Sequence, residues 1–161
     1  MAAPPTLRFV FGHPAHCIAF GFGAGLSPVA PGTAGTLLAF PLMALLGRVV
    51  EGWLALAVIA LAFVVGVWAA HRTGLDLGIP DHGGIVWDEV VAFALVLFVV
   101  GDDPWREAFA FLLFRLFDIV KPPPAGLIDR EWHHGFGVMA DDLVAAFYAL
   151  LVLTLWQRLF A

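Results

Sequence analysis

Apolar residues come along this chain in long blocks, and the blocks are separated by short segments rich in Gly, Pro and acids. The clearest block runs from Trp53 to Ala70, W-L-A-L-A-V-I-A-L-A-F-V-V-G-V-W-A-A. As a helix it would be ~27 Å long, close to the hydrocarbon thickness of a bilayer. His71 and Arg72 end it at a polar surface. A first helix is predicted over about 34–48, with Thr33 or Thr36 as its cap and a kink at Pro41, which removes one backbone bond. A third is predicted from near Gly84 to Val100, after a loop over 73–83. A fourth runs from about Trp105 to Val120, stopped by Pro122, Pro123 and Pro124. A fifth starts near Asp141 and ends near Leu159. The stretch from His13 to Thr36 holds too much Gly and Pro for a regular span, so it reads as a re-entrant or interfacial loop. The pattern predicts an all-α integral membrane bundle of about five helices, in one domain over residues 1–161.

Composition strengthens that picture. Of 161 residues, 61% are hydrophobic and 13% charged, where a soluble domain is nearer half and a quarter. A net charge of -5 argues against nucleic acid as a partner, since phosphate backbones need a basic face. The single Cys17 excludes an intramolecular disulfide and a multi-cysteine zinc site. No secretory signal peptide is evident, because Gly and Pro interrupt every early apolar run.

Five alternating helices would bring every unusual polar segment to one side. That side collects all six histidines and most of the acids. It also holds Arg8, Arg72, Arg115, Lys121 and Arg130, against Arg48, Arg106 and Arg158 opposite, so positive charge places it in the cytoplasm.

The acids on that side are the candidate chemistry. Asp88 and Glu89 lie about one turn into the third helix, where an acid either complements the helix dipole or serves a site. Asp118 sits near a helix C-terminus, where the dipole disfavours an anion; it either pairs with Arg115, three residues earlier, or helps to bind a cation. Asp141 and Asp142 open the fifth helix and point ~100° apart, so one is expected to ligate and the other to cap or support. Asp129 lies in a loop beside Arg130. Carboxylates from several helix ends without cysteines suit Mg²⁺, which takes oxygen ligands and is commonly completed by substrate phosphate. Zinc is disfavoured, because His133 and His134 are adjacent; they suit surface or phosphate contacts. Pro31-Gly32-Thr33-Ala34-Gly35-Thr36 offers free N–H groups and two hydroxyls at a helix start, an anion site. No cysteine-phosphatase loop, D-x-D-x-[TV] pattern or P-loop lysine occurs.

These segments together resemble the phosphatidylglycerophosphatase A family: G-F-G-A-G-L-S-P-V-A-P-G-T-A-G-T (21–36), D-H-G-G-I-V-W-D-E (81–89), F-R-L-F-D-I-V-K-P-P-P (114–124), D-R (129–130) and G-F-G-V-M-A-D-D (135–142). The resemblance implies a bacterial inner-membrane, Mg²⁺-dependent phosphatase that converts phosphatidylglycerophosphate to phosphatidylglycerol. In that scheme Asp88, Glu89, Asp118, Asp129, Asp141 and Asp142 are the metal candidates. Asp88, Glu89, Asp118 and Asp142 are the catalytic ones. Thr33, Thr36, Arg115, Lys121, Arg130 and His133, with Arg72, are candidates for the phosphate. Direct water attack is the default, with a phospho-Asp118 intermediate as the other route. Two rival classes are a small cation carrier or channel, which predicts acids near mid-span, and a non-catalytic assembly subunit, which predicts no cation dependence.

Overall fold

The structure, a computed structural model, describes residues 5–160, leaving aside the side chains of Asp129 and Phe160. Among the described residues every regular element is helical. Two short helices, α1 (Leu7–Val10) and α2 (Pro14–Ala19), lead into a 3-10 turn over Gly21–Leu26. Then come α3 (Pro31–Leu46), α4 (Gly52–Leu77), α5 (Trp87–Val100), α6 (Pro104–Val120), α7 (Ala125–Glu131) and α8 (Gly135–Phe160).

α5 is the axis. It is apolar all round after its first turn, which marks a helix buried on every side, and it packs against α3, α4, α6 and α8. Phe93 at its middle is fully buried and meets the rings of Phe40, Phe111 and Phe114 at 5.3, 5.8 and 5.4 Å. α6 begins as its residues dictate: Asp103 accepts from the amides of Trp105 and Arg106, and Pro104 takes the first helical position. It ends at Lys121, in the left-handed conformation with φ 46.

Several boundaries differ from expectation. Of the segment 13–36, residues 14–19 fold into α2, 21–26 into the 3-10 turn and 31–36 into α3, and Ala15, Ala19 and Phe20 are buried. α3 starts at Pro31, so neither Thr33 nor Thr36 caps it; Thr36 donates to the Gly32 carbonyl inside the helix at 2.9 Å. Pro41 lies within a continuous α3. α4 does not stop at His71-Arg72. The i,i+4 pair Arg72–Asp76 supports another turn, and Gly78, in the left-handed conformation, ends the helix. α5 starts at Trp87, not Gly84. α8 starts at Gly135, six residues before Asp141, so the two aspartates lie inside the helix and cap nothing.

α4 and α8 are long and apolar enough to cross a membrane. With 16, 14 and 17 residues, α3, α5 and α6 rise only about 21–26 Å, short of a full ~30 Å core. Large apolar side chains face outward along the long helices, among them Leu61 and Val64 on α4, Leu112 and Ile119 on α6, and Phe147 and Leu155 on α8.

The glycines before the aspartates read as loop residues, yet they are packing positions. A Cβ on Gly135 would run into the Val67 carbonyl and the His71 backbone on α4. Gly135→Ala should therefore lower stability by ~1–3 kcal/mol, despite a helix-propensity gain of up to ~1 kcal/mol. Thermal unfolding in detergent checks this; an unchanged midpoint would mean that the α4–α8 crossing is not close.

Candidate metal and phosphate site

The starts of α3 and α5, the end of α6 and the second turn of α8 meet at one end of the bundle. α5 brings Asp88 and Glu89 in its first turn, and α8 brings Asp142 toward them. One carboxylate oxygen from each of the three lies within 4.8 Å of the others. Asp88 and Asp142 are buried, and the Glu89 side chain is nearly so. Asp118 and Asp141 are within Coulombic reach of Asp142. Crowding carboxylates in a poorly solvated place is costly without a compensating positive charge.

Part of that charge comes from Arg115 and Lys121. Arg115 Nη1 pairs with Asp118, lies 3.6 Å from Glu89 Oε1 and donates to Thr36 Oγ1 at 3.3 Å. Lys121 Nζ donates to Asp141 Oδ2 at 2.6 Å. Two cations among five carboxylates leave the cluster negative. Moreover, Asp88 Oδ1, Glu89 Oε2 and Asp142 Oδ2 are buried and have no hydrogen-bond partner among the described residues. Orphaned buried oxygens on three clustered carboxylates match a hard divalent cation, which takes oxygen ligands and keeps water for the remainder. The donor set fits Mg²⁺ and lacks the nitrogen and sulfur groups that zinc prefers. Arg115 Nε is also buried and has no acceptor among the described residues, so it could receive an anion beside that cation.

The six expected acids therefore divide. Asp88, Glu89 and Asp142 form a carboxylate cluster that could hold a metal ion, while Asp118 and Asp141 border it in ion pairs. Of the α8 pair, Asp142 joins the carboxylate cluster, while Asp141 pairs with Lys121 and caps nothing. Asp129, as a side chain, lies outside the described residues. Of the phosphate candidates, Arg115, Lys121 and Thr36 are at the cluster, and Thr33 is half-buried at the same helix start. His133 is exposed and lines a small cavity with Asp81 and Asp141. Arg130 is exposed and donates to the Gly126 carbonyl of its own helix. Arg72 is engaged elsewhere, with Asp76, which also pairs with His16 at 2.9 Å.

One participant had no charge to flag it. A Cβ on Gly32 would collide with Glu89 Oε1 and approach Arg115. The only sequence signal was its position just after the N1 proline of α3, where a side chain would ordinarily be tolerated.

The molecule is thus an all-helical protein with two membrane-length helices and a buried carboxylate cluster suited to a divalent cation. The family model of phosphatidylglycerophosphatase A matches residues 17–157, and the chain belongs to that family, a family of phosphoric monoester hydrolases. A relative of that name from Haemophilus influenzae is 43% identical over 153 residues, covering 92% of this chain and 91% of the relative. One from Escherichia coli, of the same name, is 40% identical over 139 residues, covering 86% and 80%. A third relative, from Bacteroides thetaiotaomicron, carries the provisional name phosphatidylinositol-3-phosphatase; it is 38% identical over 143 residues, covering 84% and 89%. No solved structure matches the chain.

If the cluster binds Mg²⁺, the ion should stabilise the folded protein by about 2.7 kcal/mol at a hundredfold excess over Kd. Asp142→Asn should abolish that gain, and in EDTA its melting temperature should equal or exceed that of the natural protein, because one buried charge is gone. Melts with and without Mg²⁺ test both; an undiminished gain in the variant would remove Asp142 from the ligand set.

Proposed function

We propose that this protein is a Mg²⁺-dependent lipid phosphatase that hydrolyses phosphatidylglycerophosphate to phosphatidylglycerol and phosphate. Its place would be the bacterial inner membrane, crossed several times, with the active end toward the cytoplasm. The observation that carries this reading is the pairing of opposite deficits at one spot: among the described residues, three buried carboxylate oxygens without a hydrogen-bond partner beside a buried arginine Nε without an acceptor. A magnesium-bound phosphate supplies both at once. The names of the two phosphatidylglycerophosphatase A relatives supply the headgroup.

Asp88, Glu89 and Asp142 would hold the ion, and the chemistry it supplies there is neutralisation of charge on the phosphoryl oxygens. Arg115 and Lys121 bind the remaining oxygens through charge-assisted hydrogen bonds, helped by the free amides at the start of α3. Asp118, held in place by Arg115, orients the attacking water and takes its proton. The phosphorus–oxygen bond to the glycerol breaks as the water oxygen bonds to phosphorus, and the departing alkoxide takes up the proton that Asp118 accepted from the water. A cation carrier would need acids near mid-span, whereas these cluster where helix ends converge. The apolar outer faces of α4, α6 and α8 suit contact with lipid, and the excess of Arg and Lys on the active side supports the cytoplasmic orientation.

Purified protein in mixed micelles should release phosphate from phosphatidylglycerophosphate with Mg²⁺, lose that activity in EDTA and regain it with excess Mg²⁺. It should also prefer this lipid to phosphatidylinositol 3-phosphate; the reverse preference would assign the headgroup to the Bacteroides type. No release from either lipid would overturn the proposal. Asp118→Asn, which leaves Arg115 its Glu89 and Thr36 partners, should lower the melting temperature but still fold, and should cut kcat of the folded protein by roughly 10²-fold or more, the scale of losing a group used in the transition state. A natural rate in that variant would exclude Asp118 from the chemistry.

A further inference from the structure

Beside the polar site runs an apolar furrow that the chemistry leaves unused. α3 and α4 are consecutive, yet both pack on α5 far more than on each other. The gap between them holds a cavity of about 200 Å³, lined by Leu42, Met43 and Leu46 of α3, Val58, Ile59 and Ala62 of α4, and the Trp87 side of α5. None of its lining residues is charged. The one polar side-chain atom, the Trp87 indole N–H, is occupied, donating to the Ala62 carbonyl at 3.1 Å. Met43 and Leu46 also line a wider cavity of about 660 Å³ that reaches Phe98 and, at its far end, Glu51, Asp102 and Glu107. From Trp87 to Phe98 the two cavities together follow α5 for ~16 Å, about the hydrocarbon depth of one leaflet, half of ~30 Å.

We infer that this furrow is the acyl-chain slot of the lipid substrate, holding one fatty chain between α3 and α4 while the phosphate lies at the carboxylate cluster. The inference rests on the lipid-phosphatase reading above. Hydrocarbon is the chemistry that fits, because the upper cavity offers a headgroup no free hydrogen-bonding atom. Continuity with the site chooses the chain's owner: Trp87, at the head of the furrow, is followed directly by Asp88 and Glu89. A second feature marks the mouth. Phe22 is half-exposed, stands edge-on to Trp87 at 5.7 Å, and is held with φ 56. A bulky residue in the left-handed region is strained and persists where the surroundings impose it. The two rings stand at the polar–apolar boundary, as aromatic side chains do at membrane interfaces.

The test uses the whole protein in bilayers carrying a trace of phosphatidic acid, a lipid phosphomonoester, with a photoreactive diazirine in one acyl chain. Labelling should concentrate on Leu42, Met43, Val58 and Ile59. It should exceed several-fold the labelling of outward residues such as Leu112 and Leu155, and the same chain on phosphatidylcholine should label these positions several-fold less. Ala62→Trp, which fills the slot, should bring labelling down to that of the outer surface; Val58→Trp, at a more exposed position, is the second variant should the first not fold. Even labelling around the bundle, equal labelling from phosphatidylcholine, or no effect of a folded slot-filling variant would each overturn the assignment. Phosphate release is measured in parallel with long-chain and dihexanoyl substrates, and the slot-filling variant should lose kcat/KM several-fold more for the long-chain lipid. An equal loss for both would overturn the slot. Failure of the natural protein to release phosphate would sink the proposed activity, while the labelling would still decide the slot.

Discussion

Arg115 ties the polar end of the bundle together. It reaches Asp118 on its own helix, Glu89 on α5 and Thr36 on α3. Its three partners lie on three different helices, so the guanidinium does for the polar end what the Phe93 ring cluster does for the middle. Burial raises the stakes. Removing one member of a buried ion pair strands the other in a poorly solvated place, at a cost of roughly 3–5 kcal/mol. The same logic explains the glycine at position 32, since any side chain there would push Glu89 off its arginine. Placing an ion pair at a helix crossing thus constrains a backbone position with no chemistry of its own.

Three successive residues of α5 serve three surroundings. Neighbours on a helix project ~100° apart, and Trp87, Asp88 and Glu89 use that angle. Trp87 faces α4 and the furrow, hydrogen-bonded to Ala62. Asp88 shares Coulombic contact with Asp142 and Asp141 of α8. Glu89 faces Gly32 of α3 and Arg115 of α6. One turn of the most buried helix therefore holds the apolar wall, a carboxylate of the candidate metal cluster and the arginine's partner in fixed relation. A reaction that joins a hydrocarbon-bound substrate to a charged centre needs that rigidity, because small displacements of a reacting group cost rate steeply.

The sequence revealed what depends on local composition and concealed what depends on contact. α6 was legible at both ends, from Asp103-Pro104 and from the proline run after Val120. The helical class and the acid-rich end were legible from the blocks of hydropathy. The start of α8 was not. Gly135 and Gly137 read as loop because glycine weakens an isolated helix, and only the approach of α4, and of Trp132 to Gly137, shows why they are needed within one. α4 ran on past its first polar residues because a capping glycine stops a helix more reliably than a charge does. α7 is too short for any periodicity to show. In the site, Asp88, Glu89 and Asp142 were identified by their charge in an apolar chain. Sorting ligands from bordering ion pairs required knowing that Lys121 reaches Asp141, which spacing alone does not tell.

The corrected start of α8 also changes what the site is. Asp142 lies about 10 Å along the helix from Gly135, so it sits below the level at which α8 begins. α4 likewise continues past its apolar stretch to Leu77, alongside that first turn. The cluster is therefore recessed below the tips of α4 and α8, with His71, His133 and His134 around a cavity near the rim. A recess lowers the local dielectric and strengthens each charge interaction inside it, which favours holding a metal and a phosphate together. In the proposed reaction it would also bring the phosphate down toward the level where the apolar furrow begins. A lipid can then place its headgroup among charges and its chain among hydrocarbon side chains without leaving the bilayer.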